Sequence, residues 1–342
     1  MLQAPDGVHV IRRGAFEAWL MPLGARLMQV WWLAAPEGPR PLCLGFERPD
    51  DYLADQMSMG SVCGRYGNRI QDAQLTIAGR SVRLDSNHPM GHCIHGGAAG
   101  FGWRDWTVAS HTDTHLTFSL ESPAGDQGFP GHCRAHISYQ WEDDNVLRWH
   151  ATATVDEPCP INLIPHPYWN LDGQATIANH RIWIAATQYL PVDERELPLP
   201  LADVQGTPFD FQQPCCIPID AIPSIDGALA VGAPASEKLQ NAVAPVATCT
   251  AGGLTLTVKT DRPFVHIYAA AGLRPQSFID PATHAPLTPQ ALGVQHQPGA
   301  GLCLETEDWP NGPAIGRPEV WYNPERSYQH TALWQFTTDI KR

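Results

Sequence analysis

The decisive stretch reads Leu-Thr-Phe-Ser-Leu at 116–120, Ala-His-Ile-Ser-Tyr-Gln-Trp at 135–141 and Leu-Arg-Trp-His-Ala-Thr-Ala-Thr-Val at 147–155. Apolar side chains fall on every second position: Leu116, Phe118, Leu120; Ala135, Ile137, Tyr139, Trp141; Leu147, Trp149, Ala151, Ala153, Val155. Successive strand residues point to opposite faces, so this spacing buries one face and wets the other, whereas a helix would repeat at three and four. The alternation returns at Ile182, Ile184 and Ala186, at Leu254, Leu256 and Val258, and at Trp334 and Phe336. Leu75-Thr76-Ile77 and Val82-Arg83-Leu84 flank Ala78-Gly79-Arg80-Ser81, a short connection that reads as a hairpin. Strands alternating with amphipathic helices, the mark of a parallel α/β sheet, are missing. The expected fold is therefore all-β, a large antiparallel β-sandwich. The stretch from Leu197 to Pro245 is rich in Pro, Ala and Gly and is expected as long loops on a single domain spanning 1–342, because strand patterns of the same type resume after it.

Composition agrees. Of 342 residues, 43% are hydrophobic and 17% charged, which excludes disordered and coiled-coil chains, and 29 Gly with 32 Pro argue against an all-α protein. A formal charge of −13 disfavours nucleic acid and acidic membranes as partners, and neither is expected. The lysines are Lys238, Lys259 and Lys341, too few to cradle a phosphorylated ligand. No secretory pattern and no bilayer-length apolar run is present, so a cytoplasmic protein with no membrane partner is expected. The nine cysteines are scattered apart from Cys215-Cys216 and are expected as reduced, mostly buried thiols. Nucleotide-binding glycine motifs and a Gly-x-Ser-x-Gly elbow are absent.

Four clusters could carry chemistry. Gly64-Arg65-Tyr66-Gly67-Asn68-Arg69-Ile70 sets planar, multidentate hydrogen-bonding groups between turn-forming glycines, which suits a hydroxyl-rich ligand or a merely solvated loop. His88, His92 and His95 precede Gly96-Gly97, Phe101, Trp103 and Trp106; Pro89, Gly91 and Gly96 argue against the helical spacing of a zinc site, so no metal is expected. The other reading has one functional histidine beside aromatic rings, with His88 and His92 as ordinary exposed residues. His166 lies between Pro165 and Pro167, held stiffly, either as a satisfied core histidine or as a general acid titrating near neutrality. In Leu302-Cys303-Leu304-Glu305-Thr306-Glu307, Glu305 faces away from the leucines. In a cavity it is a candidate base whose pKa burial would raise; in water it is one acidic residue among 35.

Taken in order, these clusters resemble the aldose 1-epimerase (galactose mutarotase) family along almost the whole chain. The matching signatures are Gly-Arg-Tyr-Gly-Asn-Arg-Ile at 64–70, Ile-His-Gly-Gly at 94–97, Asn-Leu-Ile-Pro-His-Pro-Tyr-Trp-Asn-Leu-Asp-Gly at 162–173, Leu-Pro-Val-Asp-Glu at 190–194, Gly-Thr-Pro-Phe-Asp-Phe at 206–211 and Leu-Glu-Thr-Glu at 304–307. The resemblance implies a galactose mutarotase-like supersandwich with an open cleft, in which a free aldose exchanges its α and β anomers without a cofactor. By position, it implies Glu305 as general base and His166 as general acid, with Asn68, Arg69, His95 and Asp226 holding sugar hydroxyls and the ring-oxygen region. His266 stands where the family commonly has Gln, and Asn311 where an acidic residue is usual; His266 is taken as a further sugar contact that, with Trp169, biases which aldose is accepted. Two other functions share the fold: a catalytically silent sugar-binding or sensor protein, and an epimerase for hexose phosphates. Monomer and homodimer are both open.

Overall fold

The computed structural model describes residues 2–232, 244–274, 278 and 290–338. Its backbone is a nine-stranded antiparallel sheet in the spatial order Thr107–His111, His115–Ser122, Cys133–Asp143, Val146–Val155, Tyr328–Thr338, Leu254–Thr260, Pro245–Ala251, Arg181–Ile184 and Cys215–Cys216. The alternation fixes the register: Phe118 lies opposite Ile137, Ile137 opposite Ala151, and Leu147 opposite Trp334, so one face is continuously apolar. The C-terminal strand joins the middle of the sheet, between Val146–Val155 and Leu254–Thr260.

Two smaller antiparallel sheets share this core. The first comprises His9–Arg13, Phe16–Met21, Arg26–Trp32 and Arg40–Pro41 and contributes Ile11, Phe16 and Trp32. The second, in the order Ala202–Asp203, Gln188–Leu190, Asp226–Ala230, Phe264–Tyr268, Cys303–Glu307, contributes Leu229, Val265 and Leu304. The fold is thus an all-β sandwich. A second apolar cluster, with Trp19, Met28, Trp31 and Tyr52, includes Tyr168 and Cys303 and supports the cleft described below. Among the described residues, helices are 3-10 turns of at most six residues, and none is long and apolar enough to cross a membrane.

Three details differ from the sequence reading. The hairpin closes two residues earlier than expected: Ile77 pairs with Arg80, and Ala78-Gly79 alone form the turn, both at positive φ as a two-residue hairpin requires. The stretch from Leu197 is more than loop, since Ala202–Asp203, Cys215–Cys216 and Asp226–Ala230 all join sheets. Two are too short for periodicity, and Gly227–Leu229 is buried on both faces, which erases alternation. Residues 233–243 of that stretch, with Lys238, and also Lys341 lie outside the described residues. His92 is fully buried and His88 largely so, not exposed: His92 Nδ1 accepts the Asp72 N–H at 3.1 Å, its ring stacks on His88, and His88 faces Glu196 at 3.3 Å. All nine cysteines are free thiols, seven of them buried.

Arg65 and Arg26 hold the cleft from behind. The Arg65 guanidinium donates to Ser122 Oγ and to the carbonyls of Ser122, Pro123, Pro130 and Gly131, so it is structural. Arg26 pairs with Asp55 at 2.7 Å with both side chains fully buried, and Asp55 also accepts the N–H groups of Met57 and Met59. This fixes the loop that supplies Gln56, Met57 and Ser58 to the cleft.

Candidate active site

A cleft of about 270 Å³ opens where the five-stranded sheet meets the Asn68, His95 and His166 loops. Each segment is shaped locally to aim one side chain. The prolines extend the backbone at Ile164-Pro165, which pairs with Val62–Cys63, while His166 N–H donates to Ser61 O at 3.0 Å and His166 O accepts from Gly60 N at 2.8 Å. Asn68 and His95 both adopt the left-handed conformation, at φ 60° and 52°, and the His95 N–H donates to Asn68 O at 3.0 Å. Two non-glycine residues thus hold a backbone conformation that costs them free energy, side by side at one cleft. The His95 loop can close on the Asn68 loop because residue 96 is glycine: a Cβ there would lie 1.8 Å from the Gly64 carbonyl oxygen.

The cleft brings together all seven residues singled out from the sequence: Asn68, Arg69, His95, His166, Asp226, His266 and Glu305. Strand alternation places Glu305 as expected, with Leu302 and Leu304 in the main core while Cys303, Glu305 and Glu307 share the other face. Glu305 Oε1 lies 3.3 Å from His166 Nε2, both side chains more than nine-tenths buried. Burial pushes the Glu305 carboxyl from 4.5 up to about 8, against the pull of the His266 charge. It pushes His166 down to about 4. Desolvation, then the neighbouring His166, hold His95 well below its ordinary value. His95 Nδ1 accepts the Asn68 N–H at 3.3 Å, so the proton of the neutral ring sits on Nε2.

His266 is the exception among the histidines. Burial disfavours its charge, but hydrogen bonds to Asp226 and Glu307 more than reverse that and hold it well above the ordinary imidazole range. Nε2 meets Asp226 Oδ1 at 2.7 Å and Nδ1 meets Glu307 Oε1 at 3.3 Å, so the ring lines the cleft with both nitrogens already engaged. Asp226 is half exposed toward the opening, and although desolvation raises its pKa, the hydrogen bond from His266 brings it below the ordinary value. Arg69 is ion-paired with Glu196, yet its Nε, buried, has no partner among the described residues, a donor a ligand oxygen would satisfy. Asn311 braces the Arg69 backbone: its N–H donates to Arg69 O at 3.0 Å and its Oδ1 accepts from Gln71 N at 2.9 Å.

The sequence reading misplaced the aromatic rings. Trp106 and Phe101 are core residues in mutual contact, and Trp169 is fully buried against Trp334 and Phe336. The rings at the cleft are Tyr168, stacked on His166 at 5.1 Å, and Tyr268, edge-on to Tyr168. Tyr168 was legible as the residue two beyond His166 on an extended segment. Glu307 was legible as two beyond Glu305, and Glu196 was not legible at all, since it reaches Arg69 from 127 residues away.

His166, Cys303 and Glu305 also offer metal-ligand atoms within 4.8 Å of one another. They fit a metal poorly. The imidazole stands between the other two, Nδ1 facing Cys303 Sγ at 3.6 Å and Nε2 facing Glu305, so no one ring nitrogen addresses both. Burial also drives the Cys303 thiol far from the thiolate a metal needs.

Comparison with known proteins gives one answer. The family model described as aldose 1-epimerase matches residues 7–334. The aldose 1-epimerase of Escherichia coli (strain K12) is 32% identical over 351 aligned positions, covering 98% of each chain. The galactose mutarotase of Homo sapiens is 31% identical, covering 86% of this chain and 83% of its own. Among solved structures, the GalM/aldose epimerase homologue from C. elegans superposes with a TM-score of 0.84 at 26% identity, covering 97% of this chain and 99% of its own.

Proposed function

The chain belongs to the aldose 1-epimerase family of isomerases, and from that premise we propose that its cleft binds one free aldopyranose and interconverts the α and β anomers by two proton transfers. The observation that carries this reading is the buried contact of 3.3 Å between Glu305 and His166. Ring opening takes a proton from the anomeric hydroxyl and delivers one to the ring oxygen. Both oxygens are bonded to the same carbon, so a base and an acid a hydrogen-bond length apart can address both.

The proton count is consistent. The pair carries one proton between about pH 4 and 8, written as carboxyl and imidazole or as carboxylate and imidazolium. Burial favours the neutral form; sugar hydroxyls donating to Glu305, and the charged His266 nearby, favour the ionised one. Glu305 then removes the hydroxyl proton while His166 protonates the ring oxygen, the C1–O5 bond breaks, and a free aldehyde forms. After rotation about C1–C2, Glu305 returns its proton to the carbonyl oxygen and His166 recovers its own from the attacking hydroxyl, leaving the pair as it began. Each proton moves between one member of the pair and one sugar oxygen, the C1–O5 bond breaks and re-forms, and no step needs a cofactor.

Asn68, Arg69 Nε, His95 Nε2 and Asp226 supply the hydrogen bonds that orient the ring, and His95, held neutral, donates without competing for the proton. At about 270 Å³ the cleft falls just below the roughly 300 to 1,000 Å³ of drug-sized pockets, as suits a single sugar ring. The pairing of Arg69 with Glu196 weighs against hexose phosphates, since Arg69 is the one arginine lining the cleft among the described residues. We assign the activity to one catalytic unit spanning 1–342 and place it in the cytoplasm. Polarimetry on freshly dissolved α-glucose or α-galactose tests the function directly. Accelerated decay of rotation supports it; sugar-dependent thermal stabilisation with no acceleration would assign the cleft to sugar binding alone.

A further inference from the structure

We propose that Glu307 and His266 form a buried ion pair that acts as a positioning device, the imidazolium of His266 fixing the Asp226 carboxylate at the cleft and holding a permanent positive charge opposite Glu305. This rests on the reading of the cleft as a mutarotase site and adds the element that sets its working pH.

Three observations carry it. The first is register: His266 lies directly across the ladder from Glu305 and opposite Ala228 on its other side, so Glu305, Glu307 and Asp226 surround one imidazole on one face of the sheet. The second is saturation. Nε2 is hydrogen-bonded to Asp226 Oδ1 at 2.7 Å, and Nδ1 lies 3.3 Å from Glu307 Oε1 as well as 3.3 Å from Asn68 Nδ2, so each ring nitrogen faces a carboxylate and the doubly protonated ring serves both at once. The third is the burial of Glu307, whose side chain is wholly enclosed, with Asn68 Nδ2 at 3.3 Å from both its oxygens and His266 as its charged partner. A carboxylate enclosed to that degree needs a counter-charge.

His266 thus addresses the sugar through Asp226, not through a free ring nitrogen. The other groups facing this charge are Arg69, His95 and His166 from the loops, together with Tyr268 on its own strand. His95 and His166 are held toward neutrality by burial, so the fixed cations near Glu305 are His266 and Arg69, and Arg69 is partly cancelled by Glu196. His266 draws the Glu305 pKa down, while Glu307 and Asp226 raise it, the His266 effect being larger than either.

The sign follows. Removing the cation makes the Glu305 carboxylate harder to form, so the alkaline limb of kcat/KM moves upward from about 8 in His266→Gln. In the double variant His266→Gln/Glu307→Gln, two amides pair with each other, the raising effect of Glu307 is gone as well, and the limb lies between those of wild type and His266→Gln. Each single variant is expected to lower kcat/KM about 10- to 100-fold through misplacement of Asp226. The double is expected to recover to within about 10-fold of wild type, because neither partner is left alone.

The test is mutarotation against pH for the four proteins, with ring NMR of sugar-free wild type, the His266 signal being identified by its loss in the double variant. A doubly protonated His266 ring at pH 8, an upward limb shift in His266→Gln and partial rescue in the double support the pair, as does a single variant that fails to fold where the double folds. A neutral ring at pH 8, an unmoved limb, or a double variant as impaired as the product of the singles would overturn it. Should wild type show no mutarotation, the functional reading fails while the NMR result still judges the ion pair.

Discussion

Replacing Glu305 by Gln separates chemistry from stability, because the same burial that suits the carboxyl for catalysis burdens the fold. A folded-state pKa of about 8 against an ordinary 4.5 means that the native protein holds a proton the unfolded chain gives up between those values. A raised carboxyl therefore costs nothing below pH 4.5, costs more as pH rises, and reaches its full cost above 8. At pH 7 the gap is 2.5 pH units between 4.5 and 7, and at about 1.36 kcal/mol per unit the cost is roughly 3 kcal/mol. Gln has the same shape, stays neutral and can donate to His166 Nε2. The unfolding entropy of roughly 2 cal/mol/K per residue, summed over 342 residues, is about 0.7 kcal/mol/K, so the variant should melt about 4 °C higher at pH 7. Near pH 4.5 the two proteins should melt together. Loss of a positioned base should meanwhile reduce kcat about 100- to 10,000-fold, or roughly 3 to 5 kcal/mol of barrier. Scanning calorimetry at the two pH values, paired with polarimetry, reads both effects. A variant of wild-type activity would eliminate Glu305 as the base. One that lost activity and melted several degrees lower at pH 7 would show a structural role, and the reasoning from burial would be wrong.

The wild-type kcat/KM should be bell-shaped with limbs near pH 4 and 8, the bounds of the singly protonated pair, and a flat profile across that window would remove the pair from the mechanism. Asp55→Ala leaves Arg26 as an unpaired buried cation and should destabilise the protein by roughly 3 to 5 kcal/mol while raising KM, since the Gln56–Ser58 loop loses its anchor; a denaturant titration and a Michaelis curve check the two parts. Glu196→Gln releases Arg69 and should tighten inhibition by uronates or sugar phosphates about two- to fivefold, the worth of a partly exposed ion pair, whereas unchanged inhibition constants would show that Glu196 does not screen the cleft.

The strands of the large sheet were legible because each has one buried face and one wet face, and Leu116 to Val155 shows this without help from tertiary structure. Asp226–Ala230 and Cys303–Glu307 were harder, for they are largely or wholly buried on both faces and carry carboxylates where periodicity expects apolar residues. Glu305 was read from the alternation with Leu302 and Leu304, and His166 from its prolines, so the acid and base candidates were visible as types while their meeting was not. Convergence belongs to topology: His166 reaches the cleft on a loop paired to Val62–Cys63, Glu305 on a strand 139 positions later that pairs with Phe264–Tyr268. The aromatic rings were misread for a related reason. Trp106 and Trp169 lie beside the motifs in sequence, but alternation turns Trp169 into the core and leaves Tyr168 facing the cleft.

The strand Cys303–Glu307 and the residue that follows it bury three carboxyl groups within four residues, Glu305, Glu307 and Asp308, and their partners differ in how firmly each holds a proton. Asp308 meets Arg262 at 2.6 Å, and because a guanidinium keeps its charge at any working pH, that pair is a fixed strut. Glu307 meets His266, a titratable ring made cationic by a second carboxylate at its other nitrogen. Glu305 meets His166, whose other nitrogen faces the thiol of Cys303 and finds no second anion within hydrogen-bond reach among the described residues. With nothing to hold the imidazolium, burial drives both members of that last pair toward neutrality from opposite directions, one to about 8 and the other to about 4. Of the three pairs it is the one whose two members are both held toward neutrality, and the one whose two members both line the cleft. Adding a carboxylate beside His166 Nδ1, as in Cys303→Asp, should convert it into a second His266: a standing ion pair whose imidazolium gives up its proton less readily to a ring oxygen, so that polarimetry against pH finds the alkaline limb moved upward and kcat reduced.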